Sequence, residues 1–230
     1  MLCATRMTAR RSRGSTLNLT IASSSTCLHG IGGYLILPVP AFNVDGVIPP
    51  YTGATGPGGP HTSMSPYFAT CLEVVQSLGT SPQRLTILGG WLAHRAELRA
   101  VGMVSGFQWL DGSFLEDKVP NDLDIVTFIE LPPAIAQKGT AFFQANQHLI
   151  DRNPVKQAFS LDLFWVDLGS RPQSVVTLSR YYFGLFSHRR GDDLWKGMLE
   201  VNLADPTEPD AATHVAGSLA APNVAPVGVP

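Results

Sequence analysis

Between Phe107 and Val126 the sequence permits few backbone paths. A short apolar run, Phe107 to Leu110, ends in Gly112-Ser113; a polar turn with Pro120-Asn121 follows; then Asp122-Leu123-Asp124 opens a second apolar run, Ile125 to Ile129. Two such runs separated by turn residues read as strands of a hairpin. Side chains alternate along a strand, so Asp122 and Asp124 share one face while Leu123 and Ile125 take the other. Two carboxylates about 7 Å apart along a strand face, opposite a Gly-Ser turn, suit a divalent metal and phosphate. The same residue types also build solvated turns, and the bare pattern leaves both readings open.

The rest of the stretch narrows the choice. Gly112-Ser113, a spacer of eight residues and Asp122-Leu123-Asp124-Ile125 together resemble the signature of the nucleotidyltransferase superfamily that includes DNA polymerase β. The wider text, Gln108 to Phe114 with Pro120 to Asp124, is similar to a poorly characterised bacterial nucleotidyltransferase-like family of unknown function. The likeness extends through Pro38 to Phe42, Ile48-Pro49-Pro50, Tyr181 to Phe186 and Lys196-Gly197, roughly residues 36 to 200. The chain departs from the superfamily in its short spacer and in Asp111, which stands where an apolar residue is usual. It also lacks the Arg often found just after Gly-Ser.

The resemblance implies a minimal nucleotidyltransferase (polymerase β-like) fold, an α/β domain with a small mixed β-sheet packed by helices. It implies transfer of a nucleoside monophosphate from a nucleoside triphosphate to an acceptor left unidentified: a protein, a nucleic-acid end or a small molecule. The cofactor would be Mg²⁺ (or Mn²⁺), as two ions about 3.5–4 Å apart. Asp122 and Asp124 would hold both, and Asp162 the one that activates the nucleophile. Gly112 would let backbone approach the phosphate, with Ser113 donating hydrogen bonds. The alternative is a catalytically degenerate nucleotide-binding or antitoxin-like regulatory protein of the same fold. A third reading is a structural domain with a surface acidic hairpin.

The residues themselves select Asp162. It lies in Ala158 to Leu168, a run rich in aromatic and branched residues that reads as a strand. A carboxylate flanked there by apolar neighbours is costly unless paired or metal-bound. Asp167 falls on the opposite face, near the strand end. The cluster His188-Arg189-Arg190 closes a helix expected from Ser170-Arg171-Pro172 to about Ser187, where cations suit the dipole. Arg189, Arg190 and Lys196 are equally candidates for contact with a triphosphate.

Three further helices are expected. Ser65-Pro66 and Ser81-Pro82 each read as a cap followed by a first-turn proline, and Ala134 to Ile150 carries the third. Arg84, His94 and Arg95 lie off the apolar stripe of the second and read as a solvated face. The division expected along the chain is a disordered basic tail over 1–30, the domain over 31–203 with a Pro/Gly-rich arm, and a disordered Ala/Pro-rich tail over 204–230. A net charge of −2 argues against strong non-specific binding to nucleic acid or anionic membrane. No apolar run reaches the ~20 residues needed to cross a bilayer. Three widely spaced cysteines form no zinc motif and suit a reducing, cytoplasmic setting.

Overall fold

The computed structural model describes residues 39–53 and 63–221. The expected tail over 1–30, the start of the arm through 38 and the Gly/Pro run 54–62 lie outside those residues, as do 222–230. The strands are β1 (Tyr67–Phe68), β2 (Gly106–Asp111), β3 (Leu123–Ile129), β4 (Leu161–Asp167) and β5 (Leu199–Asn202). They form one sheet in the order β1-β5-β2-β3-β4, with β1/β5 and β3/β4 parallel and β2 antiparallel to both neighbours. The fold is thus the expected α/β one, a small mixed sheet packed by helices.

The helices are α1 (Cys71–Leu78), α2 (Pro82–Ala100), α3 (Pro133–Ala136), α4 (Gly139–Ala145), α5 (Gln147–Ile150), α6 (Arg152–Phe159), α7 (Pro172–Phe186) and α8 (Glu208–Ala220). Strand alternation sorts the core into two layers. Leu110, Leu123, Ile125, Leu161 and Leu163 join α1, α2, α6 and α8 in the larger one. Trp109, Val126, Phe128, Phe164 and Val166 face the other way and meet Tyr182, Phe183 and Phe186 of α7.

Four expectations need correction. The helix at Ser65-Pro66 starts later: β1 intervenes, and α1 is capped by Thr70, whose side chain accepts from Glu73 N while the Glu73 carboxylate returns to Thr70 N. The single helix over 134–150 is broken into α3, α4 and α5, since Gly139 turns at φ +54° and Asn146 leaves helical geometry. Arg84, His94 and Arg95 are not solvated; they are 4%, 0% and 2% exposed. The stretch after Asp205 is not a disordered tail. It forms α8, whose Ala211 and Val215 are buried. Its approach also completes α1, for Asp205 accepts from Cys71 N and Thr207 Oγ1 from Leu72 N (3.1 Å), satisfying first-turn donors that a helix cannot pair itself.

The cap at Ser81-Pro82 does start α2, with the Ser81 hydroxyl accepting from Arg84 N. Gly90 is needed there because a Cβ would stand 2.2 Å from the Phe159 carbonyl oxygen, where α2 meets the end of α6. Val47 and Ile48 of the arm are both fully buried.

Candidate functional site

Strand register builds the site. Asp111 pairs with Asp124 across β2 and β3, and Asp124 pairs with Asp162 across β3 and β4. Laterally paired residues share a sheet face, so three carboxylates form a row, one rung beyond Trp109, Val126 and Phe164 on the α7 side. Asp122, two residues before Asp124, projects to the same side. The structure therefore brings Asp122, Asp124 and Asp162 together as expected, and adds Asp111.

The Gly-Ser turn closes over this row. Residues Gly112–Leu115 form a single 3-10 turn, and Gly112 has φ +77°. A Cβ on Gly112 would lie 1.7 Å from Asp124 Oδ2, so backbone and carboxylate touch at a point no side chain could occupy. Ser113 stands beside it, half-buried.

Buried groups hold the turn from behind. Lys196 is 2% exposed. Its ammonium donates to Gly112 O (2.6 Å) and sits 3.4 Å from Glu116 Oε1 and 3.2 Å from Asp111 Oδ1. The Asp111 contact is at ion-pair distance, yet neither Asp111 oxygen takes a well-directed hydrogen bond. From α2, Arg84 donates to the carbonyls of Phe114 (2.8 Å), Glu116 and Lys118 (3.2 Å). Three main-chain oxygens of an irregular loop thereby find charged donors.

The electrostatics follow from crowding. Burial pushes the Asp111 carboxyl up to about 7, against the pull of Lys196. Burial raises Asp124 to about 6, reinforced by Asp122 and Asp162 and opposed by Arg190 and Lys196. Asp162 goes the other way, held below the usual carboxylate range by Arg152 despite partial burial.

Arg152 and Lys156, one turn apart on α6, are the partners the sequence reading missed. Arg152 grips both Asp162 oxygens, with Nη2 2.7 Å from Oδ2. Lys156 Nζ lies 2.6 Å from Asp122 Oδ2 and 3.4 Å from Asp162 Oδ2. Their i, i+4 spacing on a helix that ends just before the Asp162 strand was the available signal. The Arg152 guanidinium also lies 4.8 Å from the Phe164 ring centre. From there an open groove of about 700 Å³ runs past Trp165 and Tyr182.

Two of the three proposed phosphate contacts need revision. Lys196 is committed beneath the turn. Arg189 pairs with Asp192 three residues on and donates to Asp45 O (2.7 Å), which clamps the arm to an exposed loop instead of facing the aspartates. Arg190 is exposed and close enough to Asp124 to lower its pKa.

The donor chemistry suits a hard divalent cation: oxygen ligands, crowded like charges, and a backbone cradle at Gly112. The Asp122 and Asp162 carboxylates are nevertheless turned to Arg152 and Lys156. Among the described residues, no three His, Cys, Asp or Glu side chains stand in a metal-holding arrangement. No helix of the described residues is long and apolar enough to cross a membrane. No curated protein and no solved structure matches the chain. Every residue of this site falls within residues 40–202, the segment matched by a family of unknown function (DUF6932), and the chain belongs to that family.

Proposed function

We propose that this chain is a nucleotidyltransferase, moving a nucleoside monophosphate from a nucleoside triphosphate to an acceptor with the help of Mg²⁺ or Mn²⁺. The observation that carries the reading is the register-aligned pair Asp124 and Asp162, with Asp122 on the same face and the Gly112 backbone against the Asp124 carboxylate. Two divalent ions bound by such carboxylates would supply charge for the attacking and leaving oxygens of an in-line displacement. Asp122 and Asp124 would hold both ions, and Asp162 the ion nearest the nucleophile. Gly112 and Ser113 offer backbone and hydroxyl donors to phosphate, and Arg190 is free to approach it. The groove beside Phe164 and Tyr182 has room for the remainder of a nucleotide.

Asp122→Asn and Asp124→Asn, each tested with labelled triphosphates, divalent ion and cell extract, should show no transfer while remaining folded by circular dichroism. Wild-type activity in both variants would overturn the site.

The ion pairs to Arg152 and Lys156 favour a second reading, a regulatory protein of this fold that binds nucleotide without turnover. It predicts metal-dependent nucleotide binding with no labelled acceptor in any extract.

A further inference from the structure

We infer that Arg152 and Lys156 are the triphosphate-binding residues of this site, and that they exchange carboxylate for phosphate as a metal–polyphosphate complex enters. The inference rests on the nucleotidyltransferase reading and adds to it a pair of residues and a coupling between two ligands. Lys156 Nζ lies between Asp122 Oδ2 at 2.6 Å and Asp162 Oδ2 at 3.4 Å, and Arg152 Nη2 takes Asp162 Oδ2 at 2.7 Å. A divalent ion joining Asp122 to Asp162 would sit where the Lys156 ammonium now bridges them. An ammonium and a divalent ion so close together repel, so one weakens the hold of the other.

The displaced cations can leave without unfolding anything. The Lys156 and Arg152 side chains are 47% and 55% exposed, and each hangs from α6 by a flexible stem. Released, they stay tethered beside the site, where phosphate oxygens of the incoming complex can take their hydrogen bonds. A guanidinium fits phosphate through paired hydrogen bonds, and an ammonium does so as a point charge. The aspartates would then hold metal while α6 holds phosphate, leaving no charge unpaired. A bare divalent ion lacks that compensation and must compete against a tethered ammonium. Metal and polyphosphate binding are therefore positively coupled, and reciprocally so.

The test uses the full chain, Mn²⁺ and tripolyphosphate, with water-proton relaxation reporting bound Mn²⁺. Lys156→Gln should bind Mn²⁺ alone at least about tenfold more tightly than the wild type, since a competing charge is gone. The same variant should bind the preformed Mn²⁺–tripolyphosphate complex more weakly. Lys156→Arg, which keeps the charge, should restore affinity for the complex. Thermal melts check that each variant is folded. A Lys156 serving only as a structural clamp predicts both affinities moving in the same direction, or neither moving, and either result overturns the inference. If the wild type binds the complex and transfers nucleotide while Lys156→Gln alters neither affinity, only this inference falls. If no form of the protein binds Mn²⁺ with or without tripolyphosphate, both it and the nucleotidyltransferase reading fall.

Discussion

At the scale of single residues, Gly112 sets the site's geometry. Its φ of +77° disfavours any side chain, and the space where a Cβ would go is filled by the Asp124 carboxylate. Gly112→Ala must therefore rotate the turn or expel Asp124 from its place. Left-handed backbone costs of order 1–3 kcal/mol for an ordinary residue, before the clash is counted. The expected outcome is a loss of at least about 2 kcal/mol in urea unfolding together with loss of Mn²⁺ binding. A fully stable variant that binds metal normally would show that the turn does not rest on Asp124. Asp111 sharpens the point. This carboxyl, buried at the end of β2 just before Gly112, is the one that the Lys196 ammonium faces beneath the turn at 3.2 Å, so it comes with its own counter-charge.

At the scale of elements, α8 determines how α2 is used. Arg95 is buried on α2 and meets Glu208 of α8 at 2.7 Å, Gln108 of β2 at 2.9 Å and the Asn202 carbonyl at 2.7 Å. Arg99 adds two further bonds to Glu208, at 2.7 and 3.0 Å. Removing one partner of a buried ion pair strands the other charge, which costs about 3–5 kcal/mol. Glu208→Ala should fall in that range by urea denaturation. A cost below about 1 kcal/mol, the range of exposed pairs, would mean that water reaches Arg95. From the sequence alone α2 presented a polar stripe with nothing to cover it, because the covering helix lies more than a hundred residues away and is rich in alanine.

At the scale of the whole molecule, buried titratable groups pull stability in opposite directions as pH changes. Burial lowers the His94 pKa to about 4, against the Leu149 carbonyl that its ring contacts at 2.9 Å. The unfolded ring takes its proton near 6.5, so this contribution is present above that pH and is lost as pH falls toward 4. At pH 5 the loss is about 2 kcal/mol. Asp124 and Asp111, raised to about 6 and about 7, act with the opposite sign. Their contribution is complete below the ordinary carboxylate value and lost as pH rises through the raised ones. His94→Leu removes only the first effect. The gap between variant and wild type in urea unfolding should then move about 2 kcal/mol in the variant's favour between pH 7 and pH 5. A gap that stays constant would place the proton of His94 elsewhere.

Local sequence determined the hairpin, its turn and the common face of Asp122 and Asp124, since strand alternation and turn chemistry act over a few residues. It also marked Asp162 as a carboxylate needing a partner. Only tertiary structure decided what that partner is. Arg152 and Lys156 reach the aspartates because α6 packs beside β4, and Lys196 lies under Gly112 because the chain returns to the sheet after α7. Lys196 and Gly112 are 84 residues apart, where no periodicity links them; Arg152 and Lys156 are near Asp162 in sequence, but only the turn that folds α6 back along β4 brings them to it and to Asp122. The same reason explains the misread cations of α2, whose burial depends on a loop and on a helix that arrive later in the chain. Short-range physics wrote the acidic row into the sequence, and long-range packing chose which charges answer it.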